Sequence, residues 1–520
     1  MSSSIRLMPL HSAFLLSMLV FCTLRFACRA VAADWQVYRS HPFVEADADS
    51  LSETLVEPAT RLHLAGPQND WLHTAIVVGV TGEDPATVTV RIDGPPHLTA
   101  HVEVRVVGFV NREAGGYALD AVLSEPAARR LADCWCRRHM RNSENIQEFP
   151  TVTATSQDPV FLWITANTRD MQPRVYRGNL IVTGEDGHRV LLPLALRVRP
   201  FALPVENPLI VQAWQWFAAA PTKADSARWM LDYGINGTYM AANIEDARAA
   251  REAGFRFFWF RFEPSWRNAP VAQADEAEVN EQIEHIQAII DRLDLQPHEW
   301  ALYTVDEPTD KTVAVQVEWA AHLRERWPEV RFCYNPAWGP GGGARNEWSS
   351  VEGTFRPLLP YANIWMPYSH FLWDDQADVI MPLMREHAEQ VWFYEIVAGR
   401  QSRAPEVGRA WFRRLAWQAW DHRTQGFSWY ALNAWAENPW ASDMEVSGYT
   451  IMYPNNVPSR GLEAVREGIQ EYKRLHELRR LGVDGETLDR FAERVLSAVS
   501  VYDIDRVQAE MDDMIERLQQ

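Results

Sequence analysis

Cysteine is scarce in this chain: five among 520 residues, of which only Cys134, Cys136 and Cys333 lie beyond residue 33. So few, and an odd number, exclude a disulfide-stapled scaffold. Basic charge is also short, with 50 Lys and Arg against 69 Asp and Glu, a formal net charge of −19. That balance repels nucleic acid and anionic lipid, so neither is an expected partner. Long apolar runs are missing; the best, Ala13 to Phe21, is too short to predict a membrane span. No internal repeat is visible, which argues against a solenoid or propeller. The glycine run Gly339-Pro340-Gly341-Gly342-Gly343 lacks a following Lys-Ser/Thr and is read as a loop beyond a strand, free to close over a cleft, and not as a phosphate cradle. Cys134-Trp135-Cys136 with His139 matches no zinc-binding spacing, so no metal and no other cofactor is expected.

What is present begins with an export pattern. Arg6 precedes the apolar stretch, and the small residues Ala30-Val31-Ala32-Ala33 suit peptidase cleavage. Residues 1–33 are therefore read as a signal peptide, and the protein as exported, periplasmic or extracellular. Cleavage would remove three arginines and no acid, leaving 47 basic against 69 acidic residues, a charge of −22.

The remaining length exceeds what one ordinary core serves, and the patterning changes once along it. Residues 34–200 show a period of two. Val88, Val90 and Ile92 alternate with Thr89 and Arg91, and Val102, Val104 and Val106 with His101, Glu103 and Arg105. Asp186-Gly187 reads as a hairpin turn between Leu180-Ile181-Val182 and Val190-Leu191-Leu192. This predicts an N-terminal antiparallel β-sandwich. The boundary is placed at Pro200-Phe201-Ala202-Leu203-Pro204.

In residues 205–480 strand-like and helix-like stretches alternate. Eight strands are expected near Leu209–Trp216, Gly237–Met240, Phe255–Phe262, Trp300–Val305, Arg331–Asn335, Ile364–Met366, Val391–Ile396 and Phe427–Trp435. Eight such units predict a (β/α)8 barrel of the TIM type, whose chemistry belongs at the C-terminal ends of the strands. Residues 484–520 read as a helical hairpin, one face carrying Leu488, Phe491 and Val495, the other Val507, Met511, Met514, Ile515 and Leu518. The whole is an α/β multidomain chain.

Asp306-Glu307-Pro308 stands where the fourth strand stops. Two adjacent carboxylates at the end of a buried strand are costly unless they do chemistry. Both can face one cleft only if regular strand geometry ends there, and Pro308, without a backbone N–H, helps to end it. Tryptophan is the second signal: 19 of 23 fall between Val205 and Arg480. Trp216, Trp266, Trp338, Trp373, Trp435 and Trp440 sit at or just beyond predicted strand ends, where rings stack on the C–H faces of sugars, and Trp429 is a further candidate; Trp259, Trp319, Trp417 and Trp420 are read as core. Arg261, Tyr334, Asn335, Tyr368, Tyr394 and Asn433 are candidate hydroxyl-binding groups at other strand ends, and Arg261, within an apolar strand, needs a partner. Glu463, Arg466 and Glu471 are read as a salt-bridge face of a helix.

An aromatic cleft with a carboxylate pair points to glycoside hydrolysis and a glycan substrate. Two mechanisms remain open on the residues. If the sugar carries a 2-acetamido group, its carbonyl oxygen attacks the anomeric carbon while Asp306 holds the amide and Glu307 serves as acid and then base. If the enzyme supplies the nucleophile, Glu395 on the seventh strand is the carboxylate across the cleft, acting on a neutral sugar; barrel enzymes of that kind usually have Asn before the acid, where this chain has Asp306. A carbohydrate-binding protein without turnover is the third reading, and the intact acid pair argues against it.

Leu302-Tyr303-Thr304-Val305-Asp306-Glu307-Pro308, Gly426-Phe427-Ser428-Trp429-Tyr430 with Trp435 and Asn438-Pro439-Trp440, and Tyr453-Pro454 followed by the block Val457 to Tyr472 together resemble glycoside hydrolase family 123 and its uncharacterised relatives; Pro173–Gly178 resembles a segment of that family's sandwich. Ser459-Arg460-Gly461 departs from the usual apolar residue followed by Arg. The resemblance implies a sandwich followed by a barrel, and retaining β-N-acetylgalactosaminidase chemistry assisted by the substrate's acetamide. It assigns Asp306 to the acetamide and Glu307 to acid/base duty.

Overall fold

The computed structural model describes residues 35–44, 50–51, 55–111, 117–131, 140–214, 223–238, 243–262, 269–304, 306–308, 312–336, 356–372, 377–396, 408–432 and 451–520. The export pattern, Cys134, Cys136, His139 and the Gly339–Gly343 run lie outside them.

Ten N-terminal strands form two five-stranded sheets. They are β1 (Trp35–Ser40), β2 (Leu62–Gln68), β3 (Trp71–Val80), β4 (Ala86–Asp93), β5 (Val102–Asn111), β6 (Tyr117–Leu123), β7 (Thr151–Ala154), β8 (Val160–Asn167), β9 (Arg174–Gly184) and β10 (Arg189–Ala202). The first sheet has the order β1-β3-β8-β5-β6 and the second β2-β10-β9-β4-β7. Val182 faces Val190 across the β9–β10 hairpin, and Gly187 takes φ 81° in its turn, a conformation that costs glycine little because it has no Cβ. One pairing departs from the antiparallel expectation: β10 runs parallel to β2, two strands far apart in sequence that no hairpin joins. β10 also continues through Pro200 to Ala202, so the chain leaves the sheet at Leu203.

Alternation along the first sheet serves two cores instead of one core and solvent. Ile76, Val78, Val106, Leu162 and Ile164 pack with the second sheet, whereas Ala75, Val77, Val107, Phe161 and Trp163 join the core of the following unit. Residues of one strand therefore divide between cores by parity. Arg105, expected on an outward face, is only 6% exposed for the same reason.

Eight parallel strands close into a barrel in chain order: β11 (Ile210–Ala213), β12 (Gly237–Thr238), β13 (Phe257–Arg261), β14 (Trp300–Tyr303), β15 (Phe332–Tyr334), β16 (Ala362–Trp365), β17 (Gln390–Ile396) and β18 (Gly426–Tyr430). The described helices around and after it are α1 (Lys223–Asp232), α2 (Ile244–Ala253), α3 (Glu276–Leu293), α4 (Val313–Arg326), α5 (Ala377–His387), α6 (Arg414–Asp421), α7 (Arg460–Arg480), α8 (Gly485–Leu496) and α9 (Val501–Leu518). In α3 the Asp275 side chain caps the N-terminus, and Val279, Ile283, Ile286 and Ile289 form the buried stripe.

α7 is polar in composition yet almost wholly buried, because its charges meet partners from every neighbour. Glu463 binds Arg105 of β5 at 2.6 Å, Arg466 one turn on, and the Tyr233 hydroxyl at 2.8 Å. Arg474 joins Asp70 at 2.5 Å and Asp512 of α9 at 2.7 Å, while Arg413 joins Glu471, and Asp505 of α9 at 2.7 Å. Arg460 donates to the carbonyls of Pro42 and Leu119 at 2.8 and 2.9 Å. The helix thus ties the sheets, the barrel and the C-terminal helices through pairs that would be expensive to leave half-made. Leu488, Phe491 and Val495 of α8 and Val507, Met511 and Ile515 of α9 enter the shared core, but Leu518 is 48% exposed and lies off that face.

Among the described residues no helix is long and apolar enough to cross a membrane.

Candidate active site

Strand registers fix which side chains enter the barrel. Arg261 pairs with Tyr303, Tyr394 with Ser428, and Ser428 with Gln212 of the neighbouring strand β11, to which its hydroxyl also bonds. Gln212, Trp214, Trp259, Arg261, Tyr303, Trp392, Tyr394 and Ser428 consequently share the inner face. Trp259 stacks on Tyr303 at 5.0 Å and meets Trp214 edge-on at 5.6 Å, and Trp214 contacts Tyr394 at 5.8 Å. These rings fill the barrel and form a floor beneath its C-terminal mouth.

The acid pair lies just past β14. Pairing stops at Tyr303, the chain bends at Asp306 and Glu307, and Glu307 adopts φ 51°, in the left-handed region that non-glycine residues seldom occupy. Outside strand geometry, each carboxylate finds its own donors. Asp306, which is exposed, accepts hydrogen bonds from the Tyr303 hydroxyl and from Asn335 Nδ2 at 2.9 Å. Glu307, half-buried, accepts from the Tyr394 hydroxyl at 2.6 Å. Asn335 itself is fully buried, and its Oδ1 accepts from the Glu307 backbone N–H at 3.1 Å. One amide therefore positions both acids, through the side chain of the first and the backbone of the second. The Tyr394 hydroxyl is held protonated: burial drives its pKa well above the usual value, and the neighbouring charges of Glu307, Asp306 and Glu395 add to the effect. It is a donor at any working pH. Tyr368, nearly buried, packs on Tyr394 with ring centres 5.3 Å apart. Arg261 ends β13 beside Tyr303 on the lumen face.

Three expected site residues face the other way. Glu395 follows Tyr394 in an unbroken strand, so it points out of the lumen; it is fully buried and accepts from Ser369 Oγ at 2.5 Å. The expectation that it lies across the cleft as a nucleophile is corrected. Tyr334 neighbours Trp365 in register and lies on the outer face of β15, near Phe332, whose ring is overlain by Arg324 of α4. Trp429, fully buried, shares the outer face of β18 with Phe427. Neither is placed to touch a ligand in the mouth. All three miss by parity: a strand with apolar residues on both faces does not announce which face looks inward.

Trp216, Trp266, Trp338, Trp373, Asn433, Trp435 and Trp440 lie outside the described residues. Tyr303 and Trp214 belong to the site although sequence reasoning singled out neither. Their signal was parity with Arg261 and Tyr394, which becomes readable once strand register is known. Among the described residues no group of three or more His, Cys, Asp or Glu is arranged to hold a metal ion.

No protein-family model matches this chain, and no curated protein sequence matches it. Among solved structures, it is similar to a family 123 glycoside hydrolase from Clostridium perfringens analysed for glycolipid glycan hydrolysis. The identity is 12% and the TM-score 0.57, over 93% of this chain and 97% of the other. The two chains share a fold. A family 39 glycoside hydrolase from the gut symbiont Bacteroides cellulosilyticus WH2 matches at 10% identity and TM-score 0.38, over 73% of this chain and 82% of that one.

Proposed function

We propose that this chain is an exported glycoside hydrolase of the family 123 kind, a retaining β-N-acetylhexosaminidase acting on β-linked N-acetylgalactosamine with the substrate's own acetamide as nucleophile. The observation that carries the reading is the separate anchoring of two adjacent acids at one barrel mouth, Asp306 by Tyr303 and Asn335, Glu307 by Tyr394. Adjacent acids suit a division of labour in which neither has to reach the far side of the sugar. Glu307 gives its proton to the departing glycosidic oxygen as the acetamide oxygen bonds to the anomeric carbon and the C–O bond breaks. Asp306, fixed in orientation, accepts the acetamide N–H and offsets the positive charge of the cyclic intermediate. Water then attacks the anomeric carbon, Glu307 takes its proton, and the acetamide is released with the original anomeric configuration. The outward direction of Glu395 favours this route over double displacement on a neutral sugar. The same reading takes the two N-terminal sheets as a β-sandwich and residues 1–33 as an export signal, which N-terminal sequencing of secreted protein would test.

The deciding assay is release of aryl alcohol from aryl 2-acetamido-2-deoxy-β-galactoside, with the gluco epimer and the aryl β-galactoside beside it. Hydrolysis of the acetamido sugars alone, inhibition by a thiazoline mimic of the cyclic intermediate, and loss of activity in Glu307→Gln are expected. Equal hydrolysis of the aryl β-galactoside would overturn the acetamide mechanism, and no release from any of the three would leave a binding protein.

A further inference from the structure

A cavity of about 460 Å³ opens at the end of the barrel opposite the acid pair. Its walls include Asn207, Asn236 and Arg256, each just ahead of a barrel strand, together with Trp71 and Arg169 of the N-terminal unit and Gln470 of α7. It therefore sits in the seam where sheets, barrel and α7 meet. Its size is that of a small-molecule site and well above a bare ion's needs.

Its charge runs against that of the whole chain. Arg169, Arg228, Arg256, Arg466 and Lys473 line it, against only two carboxylates, Glu206 and Asp232. The carboxylates that pair with Arg228 and Arg466, Asp225 at 3.6 Å and Glu463, are not among its walls. Arg256 and Lys473 donate to backbone carbonyls, those of Asn207 at 2.6 Å and Val205 at 3.2 Å, which carry no neutralising charge. A chain with net charge −19 thus sets Arg169, Arg256 and Lys473, beside the paired Arg228 and Arg466, against two carboxylates in one cavity. Two wall residues also hold unused hydrogen-bonding capacity. Arg466, clamped between the rings of Trp71 at 4.1 Å and Tyr233 at 4.4 Å, has a buried Nε–H without an acceptor, and Gln470 has a buried Oε1 without a donor. A buried polar atom without a partner costs desolvation that a ligand's donor or acceptor can offset.

We infer that this seam is a second, non-catalytic binding site for a sugar-sized hydroxylated oxyanion, a sugar bearing a phosphate, sulfate or carboxylate group. The oxyanion answers the cations, and a hydroxyl supplies the donor that Gln470 lacks. The protonation of Lys473 agrees with this: burial first, then the charges of Arg169 and Arg474, bring its pKa down to about 8, with Asp70 opposing. A bound anion restores the ammonium form, so binding at mildly alkaline pH takes up a proton. Because the ligand would touch both units at once, it would also raise the stability of the seam.

Isothermal titration of the whole protein with glucose 6-phosphate, glucuronate, inorganic phosphate and glucose tests the site, independently of whether the barrel mouth hydrolyses any glycoside. One or both sugar anions should bind, better than inorganic phosphate, and glucose should not; the preferred anion identifies the acid group. Arg169→Ser, at an exposed position, and Lys473→Gln should each weaken binding about tenfold with circular dichroism unchanged. Lys473 is one of three lysines in the sequence, so amine labelling read by mass spectrometry should show it protected by the ligand. Binding of glucose as tight as of its anions, inorganic phosphate as tight as glucose 6-phosphate, or wild-type affinity in Arg169→Ser would overturn the proposal. Absence of binding by both sugar anions would do the same.

Discussion

Replacing Glu467 with Gln should stabilise the protein, and by more as pH rises. Glu467 is buried on α7, and its Oε2 has no hydrogen-bond partner. Burial pushes its pKa up to about 8. Arg413, 3.6 Å away, pulls the other way, but that guanidinium is already engaged by Glu471 and Asp505, whose charges, with that of Asp70, repel a further anion. Unfolding returns the carboxyl to its ordinary value of 4.5. Between those two values the unfolded chain is ionised while the folded one keeps the proton, so stability falls with rising pH until the folded group itself ionises near 8. At about 1.4 kcal/mol per unit, the penalty is about 1 kcal/mol near pH 5 and about 3 kcal/mol near pH 7. Glutamine has the shape of the protonated acid and ionises in neither state, so it removes the pH-dependent part. Urea unfolding of both proteins, followed by tryptophan fluorescence, should show the variant's advantage growing by about 2 kcal/mol between about pH 5 and pH 7. A difference that stays flat, shrinks, or becomes a destabilisation at neutral pH would refute the reasoning and mean that Glu467 is an anion paired with Arg413.

Asn335→Ala removes the group that binds both acids and, on the proposed mechanism, should lower kcat/KM on the aryl acetamido-galactoside about 10- to 100-fold, the loss of one or two part-buried hydrogen bonds to the proposed acid pair, with little change in melting temperature. Glu395→Gln should keep activity within about tenfold and show no rescue by azide, since the side chain faces away from the mouth and an amide oxygen can still accept from Ser369. Glu463→Ala should destabilise by about 3–5 kcal/mol in urea, because it strands Arg105 and Arg466 without their shared carboxylate. Burial alone would raise the pKa of Glu463, but Arg105, Arg466 and His73 hold it down at about 2. Its contribution is therefore present above the ordinary 4.5 and fades as pH falls towards 2, and the gap between wild type and variant should close over that acid range.

The barrel was legible because its strands are short apolar runs separated by helical patterns, and all eight appear near their expected places, most of them shorter. The acid pair was legible because adjacent carboxylates at a strand end have few structural uses. What could not be read was direction. In β17 the residues Phe393, Tyr394 and Glu395 are all buried, so hydrophobic alternation cannot say whether the phenol or the carboxylate looks inward; the hydrogen bond from Tyr394 to Glu307 decides it. The same ambiguity covers Trp214 and Tyr303, which face inward, and Tyr334 and Trp429, which face outward.

The chain's own residues determined the sequence of elements, the two acids and their position, since periodicity, turn residues and the cost of paired charges are local properties. Tertiary structure alone decided which distant donors join Tyr303 in holding those acids: Asn335, just past β15, lies 29 and 28 residues from Asp306 and Glu307, and Tyr394 of β17 lies 87 residues from Glu307. It alone decided that the first sheet is buried on both faces and that α7, polar throughout, becomes the buried tie between units. Burial and partnership are properties of what packs against a residue, and no stretch of sequence carries that information by itself.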